Sequence, residues 1–180
     1  GYDWLMQHEF AHEWFGNQLT NDNWDHMWLH EGFGTYMQPL YAQYLHGNEA
    51  YFVKLNAQRK GLANAHPIVS NTLMSEEDVY EKGPAGDIYA KGAWVIHTLR
   101  GVMGDDAFFR SVTELVYGRT DPKPGNFKPI FANTQDFIDI VNKHSESNLD
   151  WFFDVYLFSA ALPELTMTRH KDSVTFAWKT

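Results

Sequence analysis

The chain has 180 residues, of which 44% are hydrophobic and 16% aromatic, which provides enough apolar material for one sizeable core and excludes a disordered chain. Its 14 basic and 23 acidic residues give a formal net charge of −9 at pH 7, which argues against a general nucleic-acid-binding protein. The sequence has no cysteine, so disulfides and thiolate metal sites are excluded, and any metal must be held by histidines and carboxylates.

The spacing of apolar residues predicts helices in the first third of the chain. Steps of three and four residues predict a first helix over 3–16, followed by a turn at 21–23. A second helical pattern covers 25–46, and Pro39 inside it predicts a kink or a break. We expect a third helix over 49–62.

The middle of the chain is predicted to contain two further helices. A loop is expected at 64–72, and Ser75 has the character of a helix start. The Gly-Pro-Ala-Gly run at 83–86 is a break, after which we expect helices over 87–101 and 105–117.

The last third begins with a loop rich in proline and glycine at 121–129. A helix opened by Thr134 is expected to run to about residue 145, and the last helix over 149–158. Apolar residues alternate between 165 and 178, which predicts a short β hairpin.

These elements predict a mainly α fold, with a helical body over 1–160 and the start of a following β domain at 161–180. Tyr2 to Met6 run directly into a helical pattern without a capping residue, so we expect the chain to be a piece of a longer polypeptide. No stretch of the sequence approaches the roughly 18 consecutive apolar residues that a membrane helix requires, so we expect no transmembrane segment in this chain. A cysteine-free chain fits any compartment, and its localisation stays open.

The run His8–His12 reads His-Glu-x-x-His and carries the strongest chemical signal. Histidines at i and i+4 lie on one face of a helix, where both imidazoles can reach one metal ion. Glu9 lies between them, so its carboxylate can act as a general base on water beside the metal. A hydrolytic zinc site normally has three protein ligands, and Glu31 is the best candidate for the third.

The sequence here resembles a known enzyme family. Eighteen residues separate His12 from Glu31, Trp14–Asn17 reads Trp-Phe-Gly-Asn, and Trp28–Phe33 reads Trp-Leu-His-Glu-Gly-Phe. The combination is similar to the zinc aminopeptidases of the aminopeptidase N and leukotriene hydrolase type, a branch of the gluzincins. The resemblance implies that the body is the helical lobe of a thermolysin-like (zincin) catalytic domain.

The resemblance also implies roles for individual residues. His8, His12 and Glu31 would hold one zinc ion, Glu9 would move the proton during peptide hydrolysis, and the substrate would be a peptide. The run Tyr89–Gly92 reads Tyr-Ala-Lys-Gly and resembles the family's Tyr-x-Lys-Gly segment, whose tyrosine stabilises the oxyanion of the tetrahedral intermediate.

Two departures from the family's pattern bear on function. The family reads the substrate's amino group with a Gly-x-Met-Glu-Asn motif on a β-lobe that precedes the zinc helix, and no Met-Glu pair occurs in this chain. The missing β-lobe is therefore an expected partner, and we expect zinc binding with little or no turnover from this chain alone. His30 stands where the family usually has asparagine, next to Glu31.

Alternatives remain at this point. The chain could be a zinc-bound, non-catalytic scaffold or peptide-binding module, although an intact Glu9 and Tyr89 argue against it. A thermolysin-like endopeptidase shares the ligand set but is disfavoured by the segment that begins at Tyr89.

Four acidic residues are candidates for orienting the imidazoles, and the sequence does not distinguish them: Glu13, Asp22, Asp25 and Glu49.

Overall fold

The computed structural model of the chain describes residues 3–125, 128–161 and 163–179. The α-helices within these ranges are α1 (Trp4–Ala11), α2 (Trp28–His46), α3 (Asn48–Gln58), α4 (Ala90–Met103), α5 (Asp105–Tyr117), α6 (Thr134–His144) and α7 (Asp150–Tyr156). The strands are β1 (Leu19–Asn21), β2 (Ile130–Ala132), β3 (Glu164–Arg169) and β4 (Val174–Lys179). Residues 1 and 2, and residues 126 and 127 of the predicted loop, lie outside the described residues. The predicted mainly helical fold is confirmed.

Helix α1 is shorter than the sequence pattern predicts. It ends at Ala11 rather than at residue 16, because the chain turns over 12–14 and the Gly16 amide bonds to the Leu19 carbonyl at 2.8 Å on the way into β1. The start of α1 also differs from expectation. The Asp3 carboxylate caps it by accepting a hydrogen bond from the Met6 amide at 3.0 Å.

Helix α2 is the centre of the helical body, and it packs against α1, α3 and α4. Pro39 lies inside α2 without dividing it, so of the two predicted outcomes, a kink or a break, the break is wrong. Proline removes one hydrogen bond from the helix, but packing on three neighbouring helices holds α2 together across that position.

The remaining predicted helices agree with the structure to within a few residues. The start predicted at Ser75 leads into a short π-helical turn over Asp78–Lys82, and a 3₁₀ turn over Ala85–Ile88 precedes α4. Helix α6 is opened by Asn133 rather than Thr134, since the Asn133 side chain and Asp136 form a capping box.

Two small sheets complete the fold. Strands β1 and β2 pair in parallel with Leu19 opposite Ile130, and neither strand was predicted because each has only three residues. Strands β3 and β4 form the predicted antiparallel hairpin. The register aligns Leu165 with Trp178, so the apolar side chains of the hairpin share one face, and they are exposed.

The core lies between α2, α4, α5, α6 and α7, and it is rich in aromatic side chains. Its largest fully buried members are Trp28, Phe33, Tyr36, Phe108, Phe137, Phe152 and Phe153. Within the described ranges, no helix combines the length and the apolar character needed to cross a bilayer.

Candidate metal centre

Three side chains from α1 and α2 converge on one point. His8 lies on α1, His12 caps the end of that helix, and Glu31 lies in the first turn of α2. The Glu31 Oε2 atom is 3.1 Å from His8 Nε2 and 3.5 Å from His12 Nε2. One donor atom from each of the three residues lies within 4.8 Å of the others. The structure therefore brings together the three predicted ligands.

These donors fit zinc. Tetrahedral zinc bonds nitrogen and oxygen at about 2.0–2.2 Å, which places neighbouring donor atoms about 3.3 Å apart. The two measured separations from Glu31 Oε2 lie on either side of that value. Two imidazoles and one carboxylate are also the ligand set of hydrolytic zinc sites, which leave a fourth position for water or substrate.

A backbone carbonyl orients one imidazole. His12 Nδ1 lies 2.9 Å from the Phe15 carbonyl oxygen, which can only accept, so Nδ1 carries the proton and Nε2 is free for a metal. Within the described part of the chain, none of the four acidic candidates for this role forms a hydrogen bond or an ion pair with His8 or His12, whose partners are Glu31 and Phe15. Their hydrogen-bond partners, where the structure shows any, lie elsewhere: Asn17 for Glu13, Asn23 and Asn133 for Asp22, and Ser70 and Asn71 for Asp25.

The charges of the cluster reinforce one another. Burial alone would raise the pKa of Glu31, but hydrogen bonds with His12 and His8 outweigh it and lower the pKa to about 2. The hydrogen bond to Glu31 in turn raises the pKa of His12, against the opposing effect of burial. Glu31 is therefore ionised at neutral pH, as a metal ligand must be.

Glu9 and Tyr89 face the same cleft as the three donors. The cleft has a volume of about 410 Å³, and Glu9 is exposed at its wall, where its carboxylate makes no hydrogen bond to any described residue. Tyr89 is half-buried at the start of α4. Burial raises the pKa of Tyr89, a hydrogen bond with Tyr80 adds to this, and the negative charge of Glu31 adds further, so the phenol is a protonated donor at neutral pH.

Tyr80 was not singled out from the sequence, although a signal for it exists. Residues Tyr80–Gly83 read Tyr-Glu-Lys-Gly, a second copy of the pattern found at Tyr89–Gly92. The structure distinguishes the two copies by their lysines. Lys91 is buried and donates to the Ser159 carbonyl at 3.2 Å, whereas Lys82 is exposed and pairs with Glu77.

His30 points away from the three donors. Its Nε2 atom accepts a hydrogen bond from the Asn21 amide at 3.0 Å and so ties α2 to β1. Burial lowers the pKa of His30 to about 4, with a further contribution from the charge of His12. A neutral His30 is therefore a structural acceptor, and it leaves Glu31 free to face α1.

Three aromatic residues near the ligand-bearing helices α1 and α2 belong to the buried core. Phe15 and Phe33 are buried and stack with their ring centroids 4.5 Å apart. Trp28 is also buried, and its indole N–H donates to Thr134 at 2.9 Å. The larger apolar groove of about 720 Å³, which Met6, Phe10 and Tyr44 help to line, contains none of the candidate metal ligands.

Comparison with known proteins identifies the family of the chain. Residues 3–156 match the peptidase family M1 domain. The chain is 26% identical to alanine/arginine aminopeptidase of Saccharomyces cerevisiae over 95% of its own length and 20% of that protein. It is 31% identical to aminopeptidase N of Canis lupus familiaris over 63% of its own length and 12% of that protein. The chain thus spans about a fifth or less of the curated relatives described here.

Solved structures share the fold. A variant of the M1 zinc metallopeptidase of Deinococcus radiodurans matches with a TM-score of 0.69 and 25% identity, over 91% of this chain and 35% of that one. Yeast LTA4 hydrolase, solved with bestatin, matches with a TM-score of 0.70 and 22% identity, over 89% of this chain and 27% of that one. Since the family match covers most of the chain, the chain belongs to peptidase family M1.

Proposed function

We propose that this chain carries the zinc site and the catalytic groups of an aminopeptidase, which removes the N-terminal residue of a peptide. One observation carries the proposal: the donor atoms of His8, His12 and Glu31 lie within 4.8 Å of one another, in a cleft that Glu9 and Tyr89 also line. The names of the relatives support the same activity.

The three donors would hold a single zinc ion. When bound, zinc polarises a carbonyl group and lowers the pKa of water, and these are the two tasks that peptide hydrolysis requires of a metal. The bound imidazoles would be neutral and the Glu31 carboxylate ionised, which fits the low pKa of Glu31.

Glu9 would act as the general base. Its carboxylate takes a proton from the attacking water as the oxygen bonds to the carbonyl carbon, and it returns that proton to the amine as the carbon–nitrogen bond breaks. The Glu9 carboxylate is exposed in the cleft and has no competing hydrogen bond to a described residue, which suits this role. Tyr89 would donate its hydroxyl proton in a hydrogen bond to the developing oxyanion.

The same proposal assigns the domains. Residues 1–160 are the helical, zinc-binding lobe of a catalytic domain, and residues 161–180 begin a β domain. The group that reads the substrate's amino terminus lies on a preceding β-lobe of the parent enzyme, since no Met-Glu pair occurs in these 180 residues. We therefore expect this chain alone to bind zinc with little or no turnover.

Replacement of Glu9 by Gln tests the activity. The variant is made in the full-length parent enzyme. There, Glu9→Gln should lower kcat for an aminoacyl substrate by at least about 100-fold, while the zinc content is retained. Glu13→Gln is the matched control, because Glu13 is exposed one turn away and contacts Asn17. Equal rates for the two variants would contradict the catalytic role of Glu9.

The alternatives give different results in the same assay. A non-catalytic scaffold binds zinc and shows no turnover before or after the exchange. An endopeptidase cleaves peptides whose amino terminus is acetylated, whereas an aminopeptidase does not. Metal analysis of zinc-saturated protein should give one zinc per chain, and metal-free protein under these conditions would refute the site.

A further inference from the structure

Helices α2 and α4 cross with their backbones in direct contact at two glycines. A Cβ atom built on Gly92 would lie 2.9 Å from the Cα atom of Gly32. A Cβ atom on Gly32 would lie 3.1 Å from both the Gly92 Cα atom and the Ile88 carbonyl oxygen. All of these neighbours are backbone atoms, so a side chain at either position requires the helices to move apart.

The crossing point lies beside both functional groups. Gly32 directly follows Glu31, whose carboxylate lies on the first turn of α2. Gly92 lies three residues after Tyr89, so the phenol is less than one helical turn from the contact.

We propose that Gly32 and Gly92 are positioning residues that set the separation of the Glu31 carboxylate and the Tyr89 hydroxyl. The proposal rests on the proposed function, in which Glu31 holds the metal and Tyr89 stabilises the oxyanion. Relief of the 2.9 Å contact to an ordinary 3.4 Å requires a shift of about 0.5 Å at the crossing. Displacements of about 1 Å can cost about 100-fold in rate, so this shift is large enough to measure.

The α4 helix provides a matched control. Gly101 lies on α4, two turns and more beyond Gly92, and a Cβ atom there meets nothing within 4 Å. Gly101→Ala therefore makes the same chemical change in the same helix without touching α2. A general effect of alanine on α4 would appear in both variants, whereas an effect through the crossing would appear only in Gly92→Ala.

The experiment measures kcat, KM and zinc content in the longest polypeptide that contains these residues. Gly92→Ala should lower kcat by about 10- to 100-fold with zinc retained, and Gly101→Ala should leave it unchanged within about threefold. In a Tyr89→Phe background, Gly92→Ala should cost less than about threefold, because the group it displaces is already absent. Equal losses in the two backgrounds, or wild-type behaviour of Gly92→Ala, would overturn the proposal.

A binding measurement provides a readout besides turnover. A phosphinic dipeptide, whose oxygens mimic the tetrahedral intermediate, should bind zinc-loaded Gly92→Ala about 10-fold or more weakly by calorimetry. Unchanged affinity for this analogue would count against the positioning role.

Circular dichroism checks that Gly92→Ala folds. If it does not, Gly32→Ala is the milder variant, since its nearest backbone contacts are at 3.1 Å. It should show a smaller loss of kcat, and this loss should again disappear in the Tyr89→Phe background.

The positioning role and the proposed function can be refuted separately. Full activity of Glu9→Gln would refute the proposed function, whereas an inactive Glu9→Gln beside a fully active Gly92→Ala would refute only the positioning role.

Discussion

His12 donates its Nδ1 proton to the carbonyl of Phe15, three residues further along the chain, over 2.9 Å. The bond forms because α1 ends at Ala11 and the chain turns back, which brings the Phe15 carbonyl under the imidazole. It fixes the tautomer of His12 and directs Nε2 towards Glu31, 3.5 Å away. The early end of α1 thus helps to shape the candidate metal site.

Loss of the His12 imidazole should abolish tight zinc binding. Loss of a residue that only hydrogen-bonds a zinc ligand typically lowers the zinc affinity 10- to 100-fold. Loss of the ligand itself should cost more, so His12→Gln should lower the zinc affinity by at least about 100-fold. Competition with a chromogenic chelator measures the affinity in the chain itself. His46→Gln is the control, since His46 is exposed at the end of α2, and similar affinities in the two variants would refute ligation by His12.

Loss of the Tyr89 hydroxyl should lower the rate without loss of metal. Removal of one oxyanion donor costs about 100- to 1,000-fold in kcat, so Tyr89→Phe should fall in this range with KM changed much less. Tyr44→Phe, at an 83% exposed position, should match the wild type. Steady-state kinetics and zinc analysis on the same preparations decide the matter, and a zinc-free Tyr89→Phe protein would point to a structural role instead.

The convergence of the three candidate ligands was predictable because the spacing of the two histidines is local. Helical spacing places His8 and His12 on one face, and the structure places both beside Glu31. The segment of Tyr89 could be found only through its motif, since nothing in the spacing places it near α2. The burial that raises the pKa of its phenol is a property of the folded chain.

Other features could not be predicted because they depend on contacts between distant segments. Apolar spacing predicts that α1 continues to residue 16, but it does not report the pairing of Leu19 with Ile130 that draws the chain into β1. A backbone carbonyl such as that of Phe15 has no side-chain signature in the sequence, whereas carboxylates are visible there as candidate partners of the imidazoles. Gly32 and Gly92 likewise appear in the sequence as two separate glycines, and only the packing of α2 on α4 brings them together.

Asp25 should prove to be a structural residue and not a partner of the metal ligands. Its buried carboxylate accepts hydrogen bonds from the Ser70 amide, the Ser70 hydroxyl and the Asn71 amide at 2.8–2.9 Å. Asp25→Ala removes the acceptor of all three bonds, leaves the two amides without a partner among the described residues, and should lower the free energy of unfolding by about 2–3 kcal/mol. Urea denaturation measures this, with exposed Asp154→Ala as the control.

The zinc affinity of folded Asp25→Ala should equal that of the wild type. Asp25 makes no hydrogen bond to His8, His12 or Glu31 among the described residues. A 10-fold or larger loss of affinity in the folded variant would instead return Asp25 to the metal site.

His97 should make the helical body less stable as the pH falls. Burial lowers the pKa of His97, and the charge of Arg100 lowers it further, while Nδ1 lies 2.6 Å from the Tyr51 hydroxyl. The unfolded chain, with a histidine pKa of about 6.5, therefore binds more protons than the folded chain below neutral pH. This contribution to stability is complete well above pH 6.5 and is lost as the pH falls through that value.

A His97→Gln variant isolates this effect. Glutamine keeps an acceptor for the Tyr51 hydroxyl but does not titrate, so the stability difference between wild type and variant should shrink from about pH 8 to about pH 5.5. Urea denaturation at several pH values measures this difference, and the contribution of the zinc ligands cancels because both proteins contain them. A difference that is constant or grows on acidification would contradict the prediction.

The hairpin of β3 and β4 should be dispensable for the helical body. Its two strands contact chiefly each other, and the side chains of Met167, Phe176 and Trp178 are 61–64% exposed. Truncation after Ala161 should therefore change the free energy of unfolding by no more than about 0.5 kcal/mol and leave the zinc affinity unchanged. A loss of more than about 2 kcal/mol in this free energy would show that these strands belong to the helical domain.

Since an isolated hairpin is at best marginally stable, we expect the apolar face of β3 and β4 to be buried by further strands in the longer polypeptide. The fluorescence of Trp178 should then shift to the blue.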